Sequence, residues 1–320
     1  MIWTFPVSWK KWFSEKPWVG WALLILLVGL MPPFVGSYFR YVINLAMIFI
    51  IASFGMNILV STNQVSIGNA AFFAIGAYTS ALLVQKIGVP FIGALLAAGI
   101  LAAVVGLIIG LPAIRLEDIY LGIATMGFVL ICEQILLNWS SLTNGANGLT
   151  VLKASLGRWD LNTDLKFFYF VLPVAIASIV IGRNISRTRT GRAFLALKMS
   201  PIAAQAMGIN VAKYKTISFI LSAFFTGIAG SLYAHYVGYI DPPTFSIFLS
   251  ISFLSMVVIG GMGTITGSIL GALFVTILPE ILVVLGAKEA QRVVYGISMI
   301  LILRFFPHGI QGLLGRLGGR

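Results

Sequence analysis

Apolar runs of membrane-spanning length, nearly free of charge, recur along this chain, and they leave few folds open to it. They occupy 18–30, 38–60, 70–84, 91–111, 119–139, 167–182 and 216–237, with roughly three more within 247–306. A helix crossing hydrocarbon needs about 20 such residues, so the chain is expected to make about ten spans. Composition agrees: 59% of the 320 residues are hydrophobic and 9% are charged, whereas soluble domains carry about a quarter charged residues. Mean hydropathy is +1.01. The expected fold is an all-α integral membrane protein, a polytopic helical bundle with interrupted helices.

The polar stretches between the runs set orientation. Residues 183–215 hold Arg183, Arg187, Arg189, Arg192, Lys198, Lys213 and Lys215 and no acidic residue. Lys and Arg are retained on the cytoplasmic side, so this loop belongs inside. The loop at 140–166 sets Lys153, Arg158 and Lys166 against Asp160 and Asp164, and its near-neutral balance belongs outside. Counting alternately from an inside N-terminus puts the lysine-rich start, the basic loop and Arg316 and Arg320 of the tail on one face. The chain then divides into an interfacial lead-in at 1–17, a transmembrane region at 18–306 and a cytoplasmic tail at 307–320. The tryptophans and lysines of the lead-in suit the headgroup depth of membrane lipid, and the first run reads as a retained span.

Several function classes drop out. The net charge of +12 comes from residues at the ends of apolar runs, which anchor to a membrane and do not form a nucleic-acid face. A single cysteine, Cys132, excludes an intrachain disulfide framework. His235 and His308 lie far apart, no metal-ligand spacing or catalytic constellation appears, and no cofactor is implied. No GxxxxGK[ST] sequence provides an ATP site.

Within the basic loop, Pro201-Ile-Ala-Ala-Gln-Ala-Met-Gly208 reads as a short helix with Pro at its start and Gly at its stop. A loop that only obeyed the charge rule has no need of a compact apolar helix. One that plugs into a cytoplasmic partner does, so 183–215 is expected to be a coupling loop. Polar residues inside or beside the spans are a second feature. Asn57, Gln64, Ser66 and Asn69 surround a break between two runs, and either line a translocation route or form an ordinary turn. Glu133 and Asn138, in the fifth run, either polarise a vestibule or tie helices together; Glu280, after Pro279, reads more readily as a structural hydrogen bond near a helix end. Gly106-Leu-Ile-Ile-Gly110 is a formal GxxxG, expected to serve packing within the bundle. The glycines at 260–263 suit a broken or re-entrant helix.

A set of motifs, in order along the chain, carries a resemblance. They are Gln64-Val-Ser-Ile-Gly-Asn-Ala-Ala-Phe-Phe-Ala-Ile-Gly-Ala-Tyr78, Leu137-Asn-Trp-Ser-Ser-Leu-Thr-Asn-Gly145 with Asn147-Gly-Leu149, Arg189-Thr-Gly-Arg192, Ala203-Ala-Gln-Ala-Met-Gly-Ile-Asn210, Ser222-Ala-Phe224 and Met256-Val-Val-Ile-Gly-Gly-Met-Gly263. From about residue 40 onward the chain resembles the LivM-type permease subunit of bacterial ABC importers for branched-chain amino acids. The resemblance implies a permease of the bacterial cytoplasmic (inner) membrane with both termini cytoplasmic. It implies pairing with a homologous LivH-like permease, two cytoplasmic ABC ATPase subunits and an extracytoplasmic amino-acid-binding protein. It places the ATPase-coupling motif on Pro201, Ala203, Ala204 and Gly208, with Arg189 and Arg192 beside it. Ile202 stands where that motif has Glu, so docking here would rely on apolar fit and the arginines. A relative of the same kind carries urea, which leaves urea or another small amide as the alternative substrate; a stand-alone secondary transporter lacks the paired intramembrane acids it would need.

Overall fold

The computed structural model describes residues 29–113, 116, 118–156, 159–284, 286, 296–297, 300, 304 and 309–312. The lead-in, nearly all of the first expected span, the last apolar run and most of the tail lie outside the described residues. Within them, eight helices are long and apolar enough to cross a membrane. The long helices are α1 (Ser37–Val60), α2 (Asn69–Leu82), α3 (Phe91–Ala113), α4 (Asp118–Asn138) and α5 (Asp164–Arg187). Two short helices follow, α6 (Arg189–Met199) and α7 (Pro201–Ala206), then α8 (Val211–Val237), α9 (Ile247–Gly260) and α10 (Ile265–Val284).

α1 and α8 form the middle of the bundle and are mostly buried, whereas α3, α4, α5 and α10 expose most of their length. Small residues decide which helices touch. Gly76 of α2 meets the backbone of Gly227 on α8 so closely that any side chain at Gly76 would collide, and one at Gly227 would strike Ala102 of α3. Gly106 and Gly110 of α3 press on Ala223 and Phe219 of α8, so the GxxxG serves internal packing, as expected. With lipid tails outside and apolar side chains inside, close backbone approach and dispersion hold such helices together. Aromatic rings fill the remaining core, where Phe49, Phe73, Tyr233 and Phe253 interlock between α1, α2, α8 and α9.

The breaks have local causes. α2 ends in a π-helical turn, Leu83–Ile87, closed by Gly88 at φ +73°. α9 and α10 form a tight hairpin whose turn holds Gly261 at φ +128° and Gly263 at φ +75°, a backbone region in which L side chains are strained. α9 has 14 residues and so is about 21 Å long, short for a full crossing; the 3-10 turn Pro242–Phe245 extends it. Pro279 does not end a helix. α10 runs through it to Val284, since neighbouring helices in a membrane bundle can satisfy the backbone group that proline frees.

The chain segments sort to two ends. One end, the basic end, carries the 61–67 break, α6, α7 and the Gly261–Gly263 turn. The other, the distal end, carries 139–163 and 238–246, where Leu149–Thr150 (β1) pairs antiparallel with Tyr239–Ile240 (β4), and Ser155–Leu156 (β2) with Trp159–Asp160 (β3). His235 fastens this end: its ring nitrogens lie 2.9 Å from Ser80 Oγ and 2.7 Å from the Leu152 carbonyl. Glu280 also lies toward the distal end, where the Tyr38 hydroxyl donates to its carboxylate, in line with a structural role.

Candidate functional site

At the basic end, α6 folds back against the end of α5. Gly191 makes this possible, because a Cβ there would strike the backbone of Ser186. Thr188 caps α6, and Ala193, Phe194 and Leu197 bury its inner face, with Phe194 edge-on to Tyr214 of α8. Arg189 and Arg192 stay exposed. Ser200 then does two jobs: it ends α6, and its Oγ accepts from Ala203 N–H at 3.2 Å to start α7. Pro201 takes the first helical position, where its missing N–H costs nothing. Gly208, at φ +81°, donates to the Gln205 carbonyl and stops the helix.

The outer surface of α6 and α7 is apolar and uncovered. Met199, Ile202 and Met207 are each more than 80% exposed, with Leu195 and Ala203 beside them, while Ala204 is buried and seats α7 on the bundle. This patch lies among seven Lys and Arg residues at the membrane boundary. An exposed apolar cluster rimmed by charge suits contact with a protein partner or with a lipid surface.

Beneath the loop runs a buried polar seam, and four of the residues expected to matter meet there. Asn57 Oδ1 accepts from Gly263 N–H at 2.6 Å, and its Nδ2 donates to Thr264 O at 2.6 Å and Ser268 Oγ at 2.8 Å. Gln64 Nε2 donates to Ser218 Oγ at 2.8 Å and Thr62 Oγ1 at 2.7 Å. Asn69 Nδ2 reaches Ser222 and Thr226, both at 3.2 Å. Ser66 is buried and accepts from Gly68 N–H at 3.1 Å, shaping the break that starts α2. Two acceptors, Gln64 Oε1 and Asn69 Oδ1, are buried with no donor among the described residues. Glu133 and Asn138 do not join this group. Thr125 of α4 touches the break by accepting from Ile67 N–H, and along the helix Glu133 lies about 12 Å and Asn138 about 20 Å beyond it, toward the distal end. Glu133 is half-buried; Asn138 is exposed and bonds back to the Gln134 carbonyl.

Two cavities open beside the seam. One, of about 220 Å³, has Asn57, Ser61, Arg192 and Gly263 among its lining residues. The other, of about 600 Å³, is lined by Gln64, Val60, Met262, Thr264 and Gln311 among others. Lys198 lines both. Sequence reasoning missed Lys198, which reads as one more basic residue of the loop. It also missed the partners of the seam on α8, although these left a signal: Ser218, Ser222 and Thr226 recur every four residues, one stripe through the apolar middle of the helix. Among the described residues no three metal-ligating side chains converge.

A chain with eight helices long and apolar enough to cross a membrane, and a folded basic loop at one end of the bundle, is a polytopic membrane protein. The chain belongs to the family described as branched-chain amino acid transport system / permease component, which matches residues 38–303. It is 33% identical over 314 residues to the high-affinity branched-chain amino acid transport system permease protein LivM of Escherichia coli (strain K12), covering 90% of this chain and 73% of that protein. It is 32% identical to LivM of Salmonella typhimurium over the same shares. A probable branched-chain amino acid transport permease protein, LivH of Methanocaldococcus jannaschii, is 28% identical over 79% of this chain and 85% of its own. No solved structure matches the chain.

Proposed function

We propose that this chain is one permease of an ATP-driven importer that moves branched-chain amino acids across the bacterial cytoplasmic membrane. The observation that carries the reading is the exposed apolar surface of α6 and α7, ringed by basic residues and held in shape by Ser200 and Gly208. One of the importer's two ABC ATPase subunits would seat on it from the cytoplasm, Arg189 and Arg192 beside the contact and Ile202 within it. A homologous permease completes the membrane pair, and a binding protein delivers substrate to the distal end. In this orientation both termini are cytoplasmic, as the positive-inside rule requires.

Transport follows by alternating access. Closure of the ATPase dimer moves α7, the spans rock, and a route opens toward the docked binding protein. Asn57, Gln64, Ser66 and Asn69 flank the inner part of that route, next to the two cavities, and Glu133 and Asn138 belong to its outer part.

The test is reconstitution of the chain with its partner permease, ATPase subunits and binding protein in liposomes. ATP-dependent uptake of leucine, isoleucine or valine supports the reading, with urea as the control solute. Uptake without ATPase subunits, or uptake of urea alone, contradicts it.

A further inference from the structure

The geometry points to Lys198 as the residue that carries motion of the docking loop to the α9–α10 hinge, a positioning role in transport. This rests on the coupling reading above. Lys198 sits on the last turn of α6, three residues before Pro201, and α6 and α7 share Ser200 as stop and start. A displacement of α7 therefore reaches Lys198 through a single joint. Its Nζ donates to the Met262 carbonyl at 2.8 Å. The arm lies flat across Gly263, where an added Cβ would come within 3.1 Å of Cε and closer still to Nζ. Among the described residues the ammonium meets a backbone carbonyl, not a carboxylate, so the bond reports the position of the turn itself.

That turn is the narrowest joint of the hairpin. Any side chain on Gly260 or Gly271 would run into the backbone of the opposite helix, at Gly267 and Met256 respectively. α9 and α10 thus lie backbone to backbone directly behind the turn. The Asn57 side chain holds the neighbouring Gly263 N–H and Thr264 O, which ties the same turn to α1, the most deeply placed helix. Lys198 and Asn57 thus both hold the turn. Cavities of about 600 and 220 Å³ flank the Lys198 arm and leave it room to swing.

The experiment uses the complete reconstituted importer and reads uptake per ATP hydrolysed. K198M keeps the stem and removes the donor. It should bind the ATPase subunits as the wild type does and hydrolyse ATP, but lose about tenfold in uptake per ATP, a coupling loss of the size such relay residues show. K198R, which keeps a donor, should recover at least half of the ratio. A K198M ratio within twofold of wild type overturns the proposal, and so does loss of ATPase binding, which would make Lys198 part of the dock. If K198M fails to reach the membrane, the same ratio is read on K198Q, whose arm is too short to reach Met262; a wild-type ratio there also overturns it. A wild-type chain that recruits no ATPase defeats the coupling reading instead, independently of Lys198.

Discussion

The side-chain amide of Asn57 spans the α9–α10 turn, its Oδ1 2.6 Å from Gly263 N and its Nδ2 2.6 Å from Thr264 O. One buried residue of α1 thereby satisfies Gly263 N–H and adds a second donor to Thr264 O, which also accepts from Ser268 N–H at 3.2 Å. Replacing Asn57 with Leu leaves Gly263 N–H without its partner in a half-buried turn. We expect a loss of about 1–3 kcal/mol, the cost of one unpaired polar group. Thermal unfolding of the detergent-solubilised chain measures it; an unchanged midpoint would show that the turn is held elsewhere.

Helix contact through glycine gives a second test. Gly227→Leu on α8 forces a side chain into α3, where Ala102 Cβ and the Ala98 carbonyl already lie within about 3 Å. It should abolish accumulation of folded protein in the membrane. Gly127→Leu on α4, where nothing lies within 4 Å, should leave the yield at the wild-type level. Equal yields from the two variants would contradict the packing described.

The distal end depends on His235. His235→Leu leaves the Leu152 carbonyl and the Ser80 hydroxyl without this partner. Loss of about 1.4 kcal/mol there would raise local opening about tenfold. Trypsin cleavage at the exposed Lys153, added from the outer face of intact cells, should accelerate by that factor. An unchanged rate would mean that the loop is fastened by β1–β4 pairing alone, and protection from outside altogether would contradict the assigned orientation.

Much of this was legible before any coordinates. The runs at 38–60 and 216–237 became α1 and α8, and the Pro201–Gly208 segment became a capped helix, because Pro, Ser and Gly act locally. Burial was not legible. α1 and α4 both carry apolar residues around their circumference, yet α1 is central and α4 mostly exposed, since lipid tails and protein core select the same residues. Among the expected route residues, Asn57, Gln64, Ser66 and Asn69 gather because they flank one break in the chain. Glu133 and Asn138 stand apart because α4 carries them away from it. The link from Lys198 to Met262 spans 64 positions, and a lysine in a basic loop gives no hint of which carbonyl it will find.

The docking surface itself carries the function proposed for this chain, and Ile202 and Met207 are its most exposed apolar members, at 84% and 83%. The measurement is copurification of the ATPase subunits with the membrane complex carrying I202D and M207D together. If α7 is the seat, loss of contacts worth 2 kcal/mol or more weakens recruitment about 30-fold, while partner-permease binding stays at the wild-type level because both side chains face away from the spans. Full recruitment by the double variant would contradict the assignment of α6 and α7 as the coupling element.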